Sequence, residues 1–130
     1  MKLLTLSLFS LIASASLAAN KGYELKMDLS LDGKHVSSPI VRTKAGETAT
    51  VTQSLGDSQT FMDIIATEGE IQGHSGILLD VVIGNIEPNG SRKVLSRPKL
   101  LVKENEEASI EQRSETNAMQ LKVVAHRTTL

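Results

Sequence analysis

Few side chains of this 130-residue sequence have the type and spacing that catalysis requires. Cysteine is absent, which excludes a thiol nucleophile. Gly73-His74-Ser75-Gly76 matches part of a nucleophile elbow, but that motif needs glycine two residues after the serine, where Ile77 stands. The strand–turn–helix context of the elbow is also missing. We therefore interpret the segment as a glycine-rich connector, predict no catalytic residues and expect that the chain is not an enzyme.

Residues that could bind metal ions are scattered along the chain. His35, His74 and His126 fall in different predicted elements, without the spacing of a zinc site. The acidic run at 104–107 lacks the Asp/Asn alternation and the glycine of a calcium loop. The methionines beyond the N-terminal segment could bind copper, but their apolar, strand-like surroundings favour core packing. We predict no metal and no cofactor, and keep a metal carrier as the least favoured alternative.

Composition narrows the partners that the chain can recognise. It has 14 basic and 15 acidic residues, a net charge of −1, so electrostatics favour neither nucleic acid nor an anionic membrane surface. Beyond the N-terminal segment the aromatic residues are Tyr23 and Phe61. Carbohydrate and single-stranded nucleic-acid sites usually stack their ligands on aromatic rings. The sequence therefore argues against both ligand classes, and no nucleic acid is expected.

The N-terminal segment has the layout of a secretory signal peptide. Lys2 supplies a positive charge, residues 3–17 are uncharged and mostly apolar, and small residues end the run. The run is too short to span a bilayer comfortably. We expect residues 1–19 to be cleaved after Ala19, leaving 20–130 as one domain in the periplasm or outside the cell. No cysteine lies near the cut to carry a lipid, so no membrane anchor is expected.

The most informative feature is an internal repeat. Residues 34–53 and 93–112 align without a gap at a spacing of 59, with seven identities in twenty positions. Asn105 takes the place of Gly46, and both residue types tolerate positive φ, so the same turn is expected in both copies. The positions expected to be structural in the repeat are Pro39, Gly46, Ala49, Pro98, Asn105 and Ala108.

Each copy of the repeat is interpreted as four strands. Residues 23–31 alternate apolar and polar side chains, which is typical of a half-buried strand. Pro39 and Pro98 cannot donate a ladder hydrogen bond, so we expect them at a sheet edge or a bulge. The repeats are placed at about 23–66 and 76–126. Because four strands alone leave one face bare, the prediction is an all-β fold, a small antiparallel β-sandwich of about eight strands made from two tandem four-strand repeats.

Residues 67–75 connect the two copies and have no counterpart in the repeat. The segment holds two glycines and two glutamates, and we predict an irregular loop there. Loops on a rigid scaffold often carry binding residues. The candidate partner-binding residues are therefore Glu68, Glu70 and His74.

The second copy resembles a segment of the bacterial outer-membrane secretins, the ring-forming channels of type II secretion and type IV pili. The matching positions are Ser96, Pro98, Leu100, Leu101, Asn105, Ala108 and Ile110. The first copy is similar more loosely, through Ser38, Pro39, Val41, Gly46, Ala49 and Val51. The resemblance covers about a fifth of the chain, or twice that with both copies, and it implies strand and turn positions only. The glycine-rich signature and gate region of secretins are missing.

Two functions remain open at the level of the sequence. The first is a periplasmic, non-catalytic module that binds another envelope or exported protein, as an inhibitor or immunity protein does. The second is a structural or accessory component of an envelope assembly, which would self-associate through strand edges.

Overall fold

The computed structural model describes residues 21–55, 57–115 and 117–130, so the predicted signal peptide lies outside the described residues. No described helix is long and apolar enough to cross a membrane. The ten described strands are β1 Lys21–Leu31, β2 Lys34–Ser37, β3 Ile40–Lys44, β4 Thr48–Leu55, β5 Ser58–Ile71, β6 His74–Ile86, β7 Arg92–Ser96, β8 Lys99–Val102, β9 Glu107–Arg113 and β10 Ala118–Thr129. The all-β prediction is confirmed.

The strands form two five-stranded antiparallel sheets. Sheet A has the order β2-β1-β10-β9, and β3 pairs with β1 alongside β2. Sheet B has the order β4-β5-β6-β7, and β8 pairs with β6 alongside β7. The first half of the chain gives β1–β3 to sheet A and β4–β5 to sheet B, and the second half does the reverse. Each half therefore contributes strands to both sheets.

One hydrophobic core lies between the sheets. From Tyr23 to Leu29 every second side chain of β1 is buried, as the alternating pattern predicts. Sheet B supplies the facing layer, in which Ile64, Ile77 and Ile83 are fully buried. Met27, Met62 and Met119 are buried, in agreement with core packing. The buried residues that form this core are Tyr23, Leu25, Met27, Leu29, Met62, Ile64, Ala66, Ile77, Leu79, Val81, Ile83, Leu100, Val102, Met119, Leu121, Val123 and Ala125.

The described residues form ten strands instead of the predicted eight or so. The two additional strands arise because a proline divides the second strand of each repeat in two. Pro39 separates β2 from β3, and Pro98 separates β7 from β8. Both prolines lie on sheet-edge segments, as predicted, and their carbonyls accept hydrogen bonds from Met27 and Val81, each at 3.0 Å. The ladder shifts register at the corresponding point in both sheets. Proline has no N–H to donate, so each edge strand breaks there.

The turns before β4 and β9 have the same geometry. Gly46 and Asn105 both take positive φ, 80° and 64°. Their N–H groups donate to the carbonyls of Ala66 and Ala125, at 2.9 and 2.8 Å. The predicted left-handed turn residues are thus confirmed at both positions. Ala49 and Ala108, which follow them, are half-buried in the two edge strands.

The prediction of an irregular loop at 67–75 is wrong. The segment forms the end of a long β-hairpin in which β5 and β6 stay paired from Gln59 and Ile86 to Ile71 and His74. A two-residue turn closes it, with positive φ at Gln72 (49°) and Gly73 (80°). Such turns match the twist of the flanking strands, so both can continue to the turn.

Candidate interaction surfaces

The three residues predicted to bind a partner lie on the β5–β6 hairpin but do not form one site. Glu68, Glu70 and His74 are all exposed at its surface. Glu68 and Glu70 share one face of β5 because they are two residues apart. His74 is opposite Ile71 in the ladder and therefore lies on the other face. Their role in partner binding stays a prediction.

Glu68 belongs to a cluster around Arg127 that sequence reasoning missed. The Arg127 guanidinium donates to Glu68 Oε1 at 2.9 Å and to Glu104 Oε1 at 2.6 Å. It also donates to Ser75 Oγ at 2.7 Å, and its backbone N–H donates to Glu104 Oε2 at 2.9 Å. The Tyr23 hydroxyl donates to Glu68 Oε2 at 2.5 Å. We call these five residues the Arg127 cluster.

The electrostatics of the Arg127 cluster favour its ionised carboxylates. Hydrogen bonds from Arg127 and then from Tyr23 hold the pKa of Glu68 below its usual value. The backbone N–H of Arg127, followed by its guanidinium, lowers the pKa of Glu104. Burial of the phenol, and then its bond to Glu68, raises the pKa of Tyr23 to about 12. The two carboxylates raise the pKa of Arg127.

The Arg127 cluster joins parts of the fold that are distant in sequence. Tyr23 and Arg127 come from sheet A, Glu68 and Ser75 from sheet B, and Glu104 from the turn before β9. The cavity beside the cluster holds about 110 Å³, below the roughly 300–1,000 Å³ of ligand pockets. Its charged groups are bonded to one another. We therefore assign the cluster a structural role, as a link between the two sheets.

A larger cavity, of about 370 Å³, lies at the opposite end of the sandwich. Its lining includes Leu31, Leu95 and Met119 together with polar groups of β7 and β9. Ser96 Oγ of sheet B donates to Gln112 Oε1 of sheet A, and the Ser114 N–H donates to the Asn117 carbonyl within the β9–β10 turn. A ligand site instead needs polar groups that converge on its occupant.

A serine, a histidine and an aspartate meet on the outer face of sheet A. Ser38 Oγ lies 2.6 Å from His35 Nε2 and donates to Asp28 Oδ1 at 2.5 Å. In a catalytic triad the aspartate holds the far nitrogen of the imidazole, whereas here Asp28 accepts from the serine itself. The His35 and Asp28 side chains are also 59% and 58% exposed. This arrangement does not activate Ser38 as a triad would.

The two sheets end in four edges, and three of them carry features that hinder pairing with a further strand. Proline interrupts the β2/β3 edge and the β7/β8 edge. The β9 edge is charged, with Glu107, Glu111 and Arg113 in seven residues. Proline and charge are the usual means by which proteins protect sheet edges.

The fourth edge, strand β4, has neither feature. It reads TATVTQSL, eight residues without a charge or a proline. It pairs with β5 without a register shift from Thr48 to Leu55, so the strand is regular. Thr48, Thr50 and Thr52 are exposed. Alternate N–H and C=O groups of an edge strand point away from its neighbour, which leaves β4 able to accept another strand. Among the described strands, β4 is the one unprotected edge.

Comparison of the chain with protein-family models, curated proteins and solved structures gives no match. The interpretation of the β4 edge therefore depends on its own geometry and chemistry.

Proposed function

We propose that this chain is an exported, non-catalytic protein-binding module that binds an extended protein segment by strand addition at β4. The observation that carries the proposal is the unprotected β4 edge. In strand addition the backbone hydrogen bonds supply affinity, and alternate side chains supply specificity. The threonines of β4 fit this role because β-branched residues favour an extended strand.

Export to the periplasm or the exterior rests on the signal-like segment at 1–19. Its support is the charge of Lys2 and the uncharged, mostly apolar residues that follow. We also propose that the two halves of the chain are repeats of one unit. Two equivalent hydrogen bonds support this. Their donors, Gly46 and Asn105, are 59 positions apart, and so are their acceptors, Ala66 and Ala125.

Both functions left open by the sequence can use this edge. An inhibitor or immunity protein would pair β4 with another exported protein. An accessory component of an envelope assembly would use β4 to join its own assembly, and the secretin-like segment that spans β7 to β9 is the feature that favours this second candidate.

The test is affinity capture from separated soluble and membrane envelope fractions. Tagged wild-type protein is compared with Thr48→Glu/Thr52→Glu, which places on β4 the charges that β9 carries at the equivalent positions. Ser109→Glu/Arg113→Gln is the matched control, because it changes the net charge equally but on β9. A partner held by wild type and control and lost by the β4 variant supports the proposal. A partner that the β4 variant still holds contradicts binding at β4.

The identity of the captured protein separates the two functions. One stoichiometric soluble partner, such as a degradative enzyme, supports the inhibitor or immunity role. Recovery of secretion or pilus components supports the assembly role.

A further inference from the structure

The first five residues of β4 read nearly the same in both directions. Residues 48–52 read Thr-Ala-Thr-Val-Thr. When two such strands pair antiparallel about Thr50, Thr48 of one copy faces Thr52 of the other. Ala49 then faces Val51, a small side chain against a larger one. Directly opposed threonines are favourable cross-strand pairs. The strand is therefore complementary to itself in this register.

The absence of charge matters most for pairing between identical strands. Self-pairing of a charged strand readily sets like charges opposite each other, which destabilises a ladder. Strand β9 shows the effect: in the equivalent register, centred on Ser109, Glu107 would face Glu111. In β4 the same two positions are Thr48 and Thr52. The edge that carries no charge is thus the edge that can pair with its own copy.

Both faces of β4 suit this pairing. Thr48, Thr50 and Thr52 lie on the outer face of sheet B, where the Thr50 hydroxyl donates to Asp63 Oδ1 at 2.8 Å. A threonine hydroxyl that donates can still accept a hydrogen bond from a facing residue. Ala49 and Val51 lie on the inner side and are only half-buried. Addition of a strand beside them would remove more of their apolar surface from water.

We propose that the segment bound at β4 is β4 of a second copy of this chain, antiparallel across a two-fold axis through Thr50. The two copies of sheet B then form one continuous sheet of ten strands, twice the five in each. This inference rests on the proposed function, since it names the occupant of the same edge. An isologous pairing of this kind closes on itself and gives a dimer, not a fibre.

A cysteine at the two-fold axis tests the register directly. Paired residues in an antiparallel ladder have Cα atoms about 4.5–5.5 Å apart, within the range that a disulfide can bridge. Because the chain has no cysteine, Thr50→Cys introduces a single thiol per copy. The variant is expressed from the full 130-residue sequence and oxidised at several concentrations. Ser109→Cys, at the equivalent position of β9, is the matched control.

Sedimentation velocity of the same preparations measures the association itself. We expect a concentration-dependent dimer, a covalent dimer that forms in Thr50→Cys in preference to Ser109→Cys, and dimerisation about tenfold weaker in Thr48→Glu/Thr52→Glu. Circular dichroism of each variant verifies that it is folded.

Three outcomes would overturn the inference: a protein that remains monomeric at high concentration, equal cross-linking of Thr50→Cys and Ser109→Cys, or a dimer that Thr48→Glu/Thr52→Glu does not weaken. The capture experiment separates this failure from failure of the proposed function. A monomeric chain whose capture of a different protein is abolished by Thr48→Glu/Thr52→Glu would overturn only the identity of the occupant.

Discussion

Strands β4 and β9 occupy equivalent places in the two halves of the molecule, yet they present different edges to solvent. Each follows a turn with a left-handed residue, each is the edge of its sheet, and each pairs antiparallel with the next strand. Their half-buried positions also agree, with Ala49 and Val51 in one and Ala108 and Ile110 in the other. They differ at exposed positions, where β4 has threonine and serine and β9 has charge.

Strands β4 and β9 together distinguish the residues that determine the fold from the residues that determine association with another strand. The turn and the inward-facing side chains are shared, so they are sufficient to build an edge strand in either half. The exposed side chains contribute little to packing, and they decide whether another strand can pair. The turns also differ in one contact: Glu104 is held by Arg127, whereas Ala45 stands at the equivalent place before β4.

The largest expected effect tests whether the two turns are equivalent. Gly46→Val and Asn105→Val should each lower the free energy of unfolding by about 1–2 kcal/mol, since a β-branched residue is strained at positive φ. A Cβ at Gly46 would meet no atom within 4 Å, so there the cost is conformational and not steric. Urea denaturation measures both variants.

The exchanges Gly46→Asn and Asn105→Gly are the controls, and each should change stability by less than about 1 kcal/mol. If valine lowers the free energy of unfolding at only one of the two turns, the turns before β4 and β9 are not equivalent.

The next effect concerns the contact that distinguishes the two turns. Glu104→Ala removes the acceptor of the Arg127 backbone N–H and of its guanidinium. We expect a loss of about 1 kcal/mol, less than for a buried pair because the Glu104 carboxylate is partly solvated. Hydrogen exchange should quicken at the Asn105 amide and stay unchanged at the Gly46 amide. Equal acceleration at both amides would contradict a local role for Glu104.

The same contact predicts a dependence on pH. Because the folded pKa of Glu104 is lowered, its contribution is present above the unfolded value of about 4.3 and is lost as pH falls through the folded pKa. The stability gap between wild type and Glu104→Ala should therefore be full near neutral pH, begin to shrink below about pH 4.3, and disappear below the folded pKa of Glu104. A gap that stays constant down to about pH 3 would show that Glu104 acts through packing and not through its charge.

A smaller effect is expected when the charges that protect β9 are removed. Glu107→Thr/Glu111→Thr gives β9 the residues that β4 has at those positions. With two unprotected edges per copy, association should continue beyond a dimer into open-ended oligomers, because two different interfaces no longer close. Each pair of like charges that is removed should make the free energy of strand pairing more favourable by about 0.2–1 kcal/mol. Light scattering at rising concentration detects the larger species, and a strict dimer would show that charge is not what protects β9.

Local sequence patterns predict the features that depend on a few neighbouring residues. Alternation in β1, proline at the two edges and the left-handed residues at Gly46 and Asn105 all follow from such patterns. Strand pairing does not, because β1 pairs with β10, and no pattern within either strand specifies a partner about a hundred residues away. The Arg127 cluster was missed for the same reason, since its members come from five separate segments.

The wrong prediction for 67–75 also has a physical cause. Gly69 favoured a loop, because glycine is usually a turn residue. In the structure it lies inside β5, and a Cβ there would stand 2.6 Å from Leu101 Cδ1. Any larger residue here would have to displace the end of the Leu101 side chain, which comes from β8, more than thirty residues downstream. The residues next to Gly69 in sequence do not reveal such a distant contact, so the sequence alone favours the loop.

The smallest expected effect is the response of dimerisation to salt, and it distinguishes β4 from the charged surfaces. An interface of threonines, alanine and valine has no ion pair to screen, so its dissociation constant should change less than about twofold between roughly 0.05 and 0.5 M salt. The opposite result is expected for a dimer formed through the outer face of sheet A, which carries the Arg42–Glu24 ion pair. The affinity of such a dimer would fall severalfold over the same range of salt. Sedimentation at both salt concentrations decides between them. A dimer affinity that falls steeply with salt would place the contact away from β4. An affinity that does not change with salt, together with the disulfide of the Thr50→Cys variant, places the contact on the uncharged β4 edge.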